Sequence, residues 1–476
     1  MRLTLRCAAV KHQRIVAIAT GRLEPLFRSR GGAQSPTIAF TQGCFLAALA
    51  IVAIYGIVLT SNHQETRWLP LCAGTIALVG LALTATIDIF GGVDVYRPLP
   101  GIRAEALATF AVFTLFLAFY SSTATLDPSP YNAHVRQAVA FVHGHTYIDA
   151  PNFIEHASFG GHNYQLHPPL PAILLMPFAA IWGMGVNQTA FSMVFGALDI
   201  ALTWRMLGRF RLSIDARMWL TVFFGAGTIL WYETVIGSSW ALSMVVAIGF
   251  TVAALDELFG PARPIPLGIL AGLAALARYD LAFDWPIYVI LEYRRRRAIK
   301  PLLRMIPGFA LAAAIYLFLN EVRYHSPFDR GVFLFAGPDT QLFGLRYLPG
   351  NIYTLLMVGP SLDGRFPYIH PRFVGQSILL TSPAFVLAMR PSFKRIDALL
   401  ILIAAIIAMT PSLFYFTNGF SQFGTRHYLH AFPFLLVLMA MGVRWRADQL
   451  TKILIGFSII LIAYGVWHYS HYGLVP

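Results

Sequence analysis

The stretch 126–183, LDPSPYNAHVRQAVAFVHGHTYIDAPNFIEHASFGGHNYQLHPPLPAILLMPFAAIWG, gathers acids, histidines and aromatics inside a chain that is otherwise strongly apolar. Asp127 opens it, directly after an apolar run and ahead of Pro128-Ser129-Pro130-Tyr131. A carboxylate in that position can take the proton of a hydroxyl attacking a lipid-linked donor. A helix-ending Asp-Pro turn accounts for the same residues without chemistry. Asp149 and Glu155 are further carboxylates of the stretch, and Tyr131 and His167 are candidates for the wall of an acceptor cavity. Six histidines, His134, His143, His145, His156, His162 and His167, fall within 34 residues. They form no HxxxH pair on a clear helix, and scattered loop histidines are more often hydrogen-bonding groups than ligands. No cofactor or bound metal is therefore expected, with a divalent cation left open.

Basic residues make a second set. Arg278, Arg323, Arg330, Arg346, Arg365, Arg372 and Arg426 fall on the side of the membrane that the positive-inside rule disfavours. Arginine placed against topology points to an anionic ligand, because its planar fork matches phosphate. Arg278 and Arg426, each beside a helix end, are the preferred pair for a donor phosphate, and Tyr428 next to Arg426 is a further cavity candidate. Pairing with lipid headgroups or with Asp280, Asp329 and Asp363 is the plain alternative. No Gly-rich phosphate loop, kinase set or nucleophile elbow is present, so nucleotide chemistry has no support.

The elements that must hold these groups are transmembrane helices. The chain has 476 residues, 57% hydrophobic and 12% charged, with mean hydropathy +0.63, too little charge for a soluble protein of this length. The expected fold is all-α and polytopic, since about 20 apolar residues cross the hydrocarbon core. The formal charge of +13 is spread between apolar runs, so topology accounts for it and no nucleic-acid partner is expected. Cys7, Cys44 and Cys72 suggest neither a disulfide framework nor a zinc site.

Residues 1–37 read as a basic cytoplasmic extension, 38–470 as the membrane domain and 471–476 as a short tail. Helices are expected at about 38–60, 69–91, 104–122, 189–207, 218–236, 240–258, 266–277, 281–293, 304–320, 375–391, 396–413, 430–446 and 452–470, about 13 spans in all. Segments 122–188 and 321–374 then lie outside, and 168–183, with its four prolines, reads as an interfacial helix. The run Arg294-Arg295-Arg296-Arg297 is the strongest inside marker. A multi-pass protein of the inner (plasma) membrane is expected, working at its periplasmic or exterior face.

Several short motifs, taken in order, resemble the glycosyltransferase C superfamily, which includes protein O-mannosyltransferases and lipid A aminoarabinose transferases. They are Asp127-x3-Tyr131, Gly144 within AVAFVHGHTYID, His167-Pro168-Pro169-Leu170, GLAALARYD at 272–280, NEVRYHSPFDRG at 320–331 and QFGTRHYLHAFPF at 422–434. The resemblance implies a membrane enzyme that moves a sugar from a polyprenyl-phosphate donor to an acceptor hydroxyl on a protein, lipid or polysaccharide. It implies Asp127 as general base in an inverting transfer, and Arg278 and Arg426 at the donor phosphate. Pro128 stands where a second acid is usual, and two helices precede the one that normally starts the fold. A transporter, a lipid flippase or an inactive scaffold of the same fold are the competing readings.

The topology is checked by labelling in a cysteine-free background. Ser158→Cys is expected to react with an impermeant maleimide in intact cells, and Arg297→Cys only after permeabilisation; the reverse pattern overturns the orientation.

Overall fold

The computed structural model describes residues 101–148, 155–364, 366–443 and 445–473. The expected helices at 38–60 and 69–91, the N-terminal extension, Asp149 and Arg365 lie outside the described residues. The described residues are mainly helical, with two small two-stranded ribbons as their sheet.

The helices used below are α1 (Gly101–Thr123), α2 (Ala133–Val142), α3 (Leu170–Trp182), α4 (Gln188–Leu207), α5 (Ile214–Ala226), α6 (Leu230–Ile236), α7 (Ser239–Phe259), α8 (Pro264–Ala277), α9 (Trp285–Arg296), α10 (Ile306–Tyr324), α11 (Ile396–Leu413), α12 (Phe432–Gly442) and α13 (Gln449–Tyr472). The hairpin β1 (His156–Phe159) and β2 (His162–Gln165) lies between α2 and α3. Gly160 and Gly161 form its turn at φ +58° and +83°, where a side chain would be strained.

Among the described residues six helices are long and apolar enough to cross a membrane, or seven if the bent pair α5 and α6 counts as one span. This corrects the expected count. The expected segment 375–391 is a helix of 4 residues, Ile378–Thr381, and a 3-10 stretch, Pro383–Met389. Pro383 has no N–H to continue the preceding helix. The expected 430–446 becomes a 3-10 stretch, Arg426–Ala431, followed by α12 of 11 residues. At 1.5 Å per residue α12 spans only about 16 Å. The segments at 266–277 and 281–293 are likewise short, as α8 of 14 residues and α9 of 12. Apolar composition alone does not separate a short buried helix from a crossing one. The expected interfacial segment is a helix, α3, of 13 residues.

α7 and α4 are central, with 83% and 61% of their apolar windows buried, against 22% for α1 and for the span that ends in α10. α8 and α10 meet through glycines: a Cβ on Gly308 would stand 2.2 Å from the Gly268 carbonyl carbon. Such contacts let helices pack where no hydrophobic effect drives them together.

The two ends of the bundle differ chemically. One end is closed by ion pairs: Arg205 and Arg209 with Asp256, Arg217 with Glu105, Arg263 with Glu257, Lys452 with Asp215 and Arg390 with Asp448. These sit in the first turns of α1, α5 and α13 and in or just beyond the last turns of α4 and α7, with Arg390 ending the 3-10 stretch 383–389. At the other end, the first residues of α4 and α7 and the last of α6, α8 and α10 lie beside the hairpin, α2 and the 3-10 stretch 426–431.

Gly308→Val is expected to lower the detergent melting temperature, with overpacking costing roughly 1–3 kcal/mol or more against an immovable backbone. Gly456→Ala, where a Cβ would meet nothing within 4 Å, is the control and should leave it unchanged or raised.

Candidate functional site

The segment after α1 is pinned across the start of α4 and α7. Asn187 donates to the Leu126 carbonyl at 2.9 Å, and the Ser129 amide donates to Thr189 Oγ1 at 3.1 Å. The Ser239 amide and hydroxyl donate to the Tyr131 carbonyl at 2.9 and 2.7 Å. Asn187 also accepts from the Ala190 amide at 3.0 Å, capping α4. The Tyr131 ring stands 4.9 Å from that of Trp240. Asp127 lies between the first two pins, exposed, and makes no hydrogen bond or ion pair with the described residues.

His134 is fully buried and structural. Its Nδ1 lies 2.8 Å from the Gln165 amide nitrogen, a donor, so Nδ1 must accept. Its Nε2 then carries the proton and donates to the Ser239 carbonyl at 2.9 Å. Burial, and then His167 nearby, hold its pKa well below the usual histidine value, so this ring is neutral at neutral pH.

Glu155 precedes β1 at φ +64°. Its carboxylate meets His167 Nε2 at 2.7 Å, with the two side chains 27% and 12% exposed. Burial opposes its ionisation, but His167, then Arg426 and His427, outweigh that and hold the carboxyl at about 2.

Arg426 starts the 3-10 stretch before α12 and is only 5% exposed. It donates to the Phe420 carbonyl at 2.9 Å and lies over the Trp240 ring at 5.2 Å. Among the described residues no carboxylate comes within 4.0 Å of it. Glu233 and Glu155 act on it from farther away, as does the charge of Arg278. The guanidinium is thus enclosed, stacked on an indole and only partly neutralised, which suits an anion.

Arg278 ends α8 with an extended backbone, φ −147°. Its two contacts with Asp280 are 3.5 Å each, longer than an ordinary charge-assisted hydrogen bond. Asp280 also meets His430 Nε2 at 3.0 Å. Burial works against its ionisation, but Arg278 and His430 hold the carboxyl well below its usual range. His427 is pushed well below the usual histidine value by burial, Arg426 and Arg278.

The structure therefore brings Glu155, His167 and Arg426 into one electrostatic cluster with Arg278, and connects Tyr131 to it through Trp240. Asp127 is not bonded into that cluster. Tyr428 is wholly buried in the helical core. The alternative weighed for Arg278, pairing with Asp280, is realised loosely. Trp240, His427 and His430 escaped the sequence reading, and His134 was listed there only as one of six loop histidines. Trp240 looked like one more interfacial aromatic, and the partners of His134 and His430 lie 31 and about 150 residues away in the chain. Among the described residues no three of His, Cys, Asp and Glu are grouped as metal ligands. Comparison with family models, with curated proteins and with solved structures gives no match.

Because Glu155 is held below its unfolded value of 4.5, its pairing stabilises the fold fully above about pH 4.5. That contribution, about 3 kcal/mol at most, is lost as pH falls towards 2. Melting of wild type and Glu155→Gln is expected to differ at pH 6 and to converge near pH 2.5; a difference constant across that range contradicts the pairing.

Proposed function

We propose that the protein is a membrane glycosyltransferase that moves a sugar from a polyprenyl-phosphate donor to an acceptor hydroxyl at the membrane face carrying this cluster. The observation that supports this best is Arg426, an enclosed guanidinium with no close carboxylate, at an end of an apolar helical bundle. In this reading a lipid-linked phosphate meets that group while its chain stays among the exposed apolar side chains of the helices.

In the proposed step the acceptor O–H breaks as its oxygen bonds the anomeric carbon. The bond from that carbon to the phosphate oxygen breaks on the opposite face, and its electron pair leaves with the polyprenyl phosphate. Charge grows on that oxygen in the transition state, so Arg426, with Arg278 beside it, stabilises departure more than binding. The proton goes to the first outer loop, whose acceptors are Asp127 at its exposed edge and Glu155 with His167 inside the cluster. The donor is already activated, and the chemistry calls for no nucleotide.

One observation favours transport instead. Asp199, in the middle of α4, is wholly buried, its oxygens have no hydrogen-bond partner among the described residues, and it packs against Gly249 of α7. Ionisable groups at that depth often mark ion paths.

The test offers purified protein radiolabelled undecaprenyl-phosphate sugars and membrane extract as acceptor. Arg426→Gln is expected to lower kcat/KM at least 100-fold (about 10²–10³ for one lost oxyanion donor), whereas exposed Lys394→Gln should match wild type. Equal rates for Arg426→Gln and wild type overturn the assignment. Proton-coupled flux in liposomes that Asp199→Asn abolishes, without transfer from any donor, would favour the transporter.

A further inference from the structure

We infer that His167 is the group that accepts the acceptor's proton and that Glu155 is its positioning residue, an inference that rests on the transfer reading above. The contact that carries it is the hydrogen bond of 2.7 Å between His167 Nε2 and the Glu155 carboxylate. A carboxylate on Nε2 fixes the neutral ring with its proton there and its bare lone pair at Nδ1. This is the logic by which an acid orients an imidazole base and stabilises the imidazolium it becomes.

The surrounding chain holds this pair in place. Glu155 adopts φ +64°, a left-handed conformation disfavoured for a side-chain-bearing residue, so the neighbouring structure enforces it. Leu166 donates its amide to the Glu155 carbonyl at 3.4 Å, closing the base of the hairpin directly before His167. Pro168 restricts the backbone of His167 to extended conformations, and Pro169 precedes the first turn of α3.

The charged and titratable groups that face the pair include Tyr415, which feels the charge of Glu155. His134 of α2 has its ring 5.5 Å from that of His167; its nitrogens are committed to Gln165 and Ser239, so it does not compete for Glu155. Arg426 and His427 face Glu155 from the 3-10 stretch before α12. His167 and then Arg426 favour the ionised carboxylate, and Arg426 also lies over Trp240, so the proposed phosphate contact and the base occupy neighbouring parts of one cluster. Asp127 has no comparable partner.

In the transfer step the acceptor O–H proton goes to His167 Nδ1 while the acceptor oxygen bonds the sugar carbon. Departure of the polyprenyl phosphate takes the electron pair of the broken bond. The resulting imidazolium pairs with Glu155 and returns its proton to water.

Two measurements on the full chain in detergent test this. In 15N-histidine spectra of the wild type, the His167 signal, identified by its loss in His167→Asn, is expected to show Nε2–H with Nδ1 bare. Glu155→Gln should abolish that preference; if His167→Asn does not fold, this response identifies the signal instead. Nδ1–H in the wild type overturns the inference. With radiolabelled undecaprenyl-phosphate sugars, His167→Asn should lower kcat at least 100-fold, within the roughly 10²–10⁴ of general-base catalysis. Glu155→Gln should lose about tenfold and move the acid limb of the pH–rate profile, with donor KM within twofold. Transfer by His167→Asn at the wild-type rate, with an unmoved profile in Glu155→Gln, overturns the inference and leaves the transfer reading standing. An inactive wild type with every donor overturns both.

Discussion

A guanidinium that is 5% exposed cannot be left without compensation, and the arrangement at one end of this bundle follows from how Arg426 is accommodated. Transfer of a lone charge out of water costs several kcal/mol even after relaxation. Here the compensation is partial and distributed: a backbone carbonyl from Phe420, the face of Trp240, and the longer-range fields of Glu155 and Glu233. Each comes from a different element. Trp240 is placed by the first turn of α7, Glu233 by the bent helix α6, and Glu155 by the base of the hairpin. Such a cation gains most from an anion brought to it, and the proposal of a phosphate-bearing donor turns on that point.

The opposite end shows the contrast. There several arginines and a lysine are matched by acids at ordinary ion-pair distance, such as Arg263 with Glu257 at 2.8 Å and Lys452 with Asp215 at 3.0 Å. In those pairs each cation has a carboxylate close by. At the cluster end, Arg278 holds Asp280 only loosely and Arg426 holds no carboxylate closely, although both are more enclosed than Arg263. The enclosed arginines are thus of two kinds, paired closely with an acid as Arg217 is with Glu105, or without a close one as Arg426 is among the described residues.

How much of this was legible in the sequence can be followed residue by residue. The long apolar helices were, since α1, α4, α7, α11 and α13 each lie within a few residues of their expected bounds. The short ones were misread as crossings wherever a proline or a 3-10 turn cut an apolar run, as at Pro383 and Pro433. Arg278 and Arg426 were picked out because cations placed against the expected topology stand out. Glu155 and His167 were found as residue types, but their contact depends on a left-handed residue and a hairpin register that no spacing encodes. Trp240 was invisible, because an aromatic near a helix end has a sufficient explanation at the membrane interface. The six loop histidines separated only by their partners: His134 is locked as a neutral strut, while His167 faces a carboxylate.

The measurement that bears most directly on the central claim is lipid retention by the purified protein in native mass spectrometry, comparing undecaprenyl phosphate with undecaprenol. The two differ only in the anionic head. The account expects wild type to retain the phosphate and not the alcohol, and Arg426→Gln to lose that preference while binding other lipids as before. Equal retention of phosphate and alcohol by wild type, or an undiminished phosphate preference in Arg426→Gln, would contradict it.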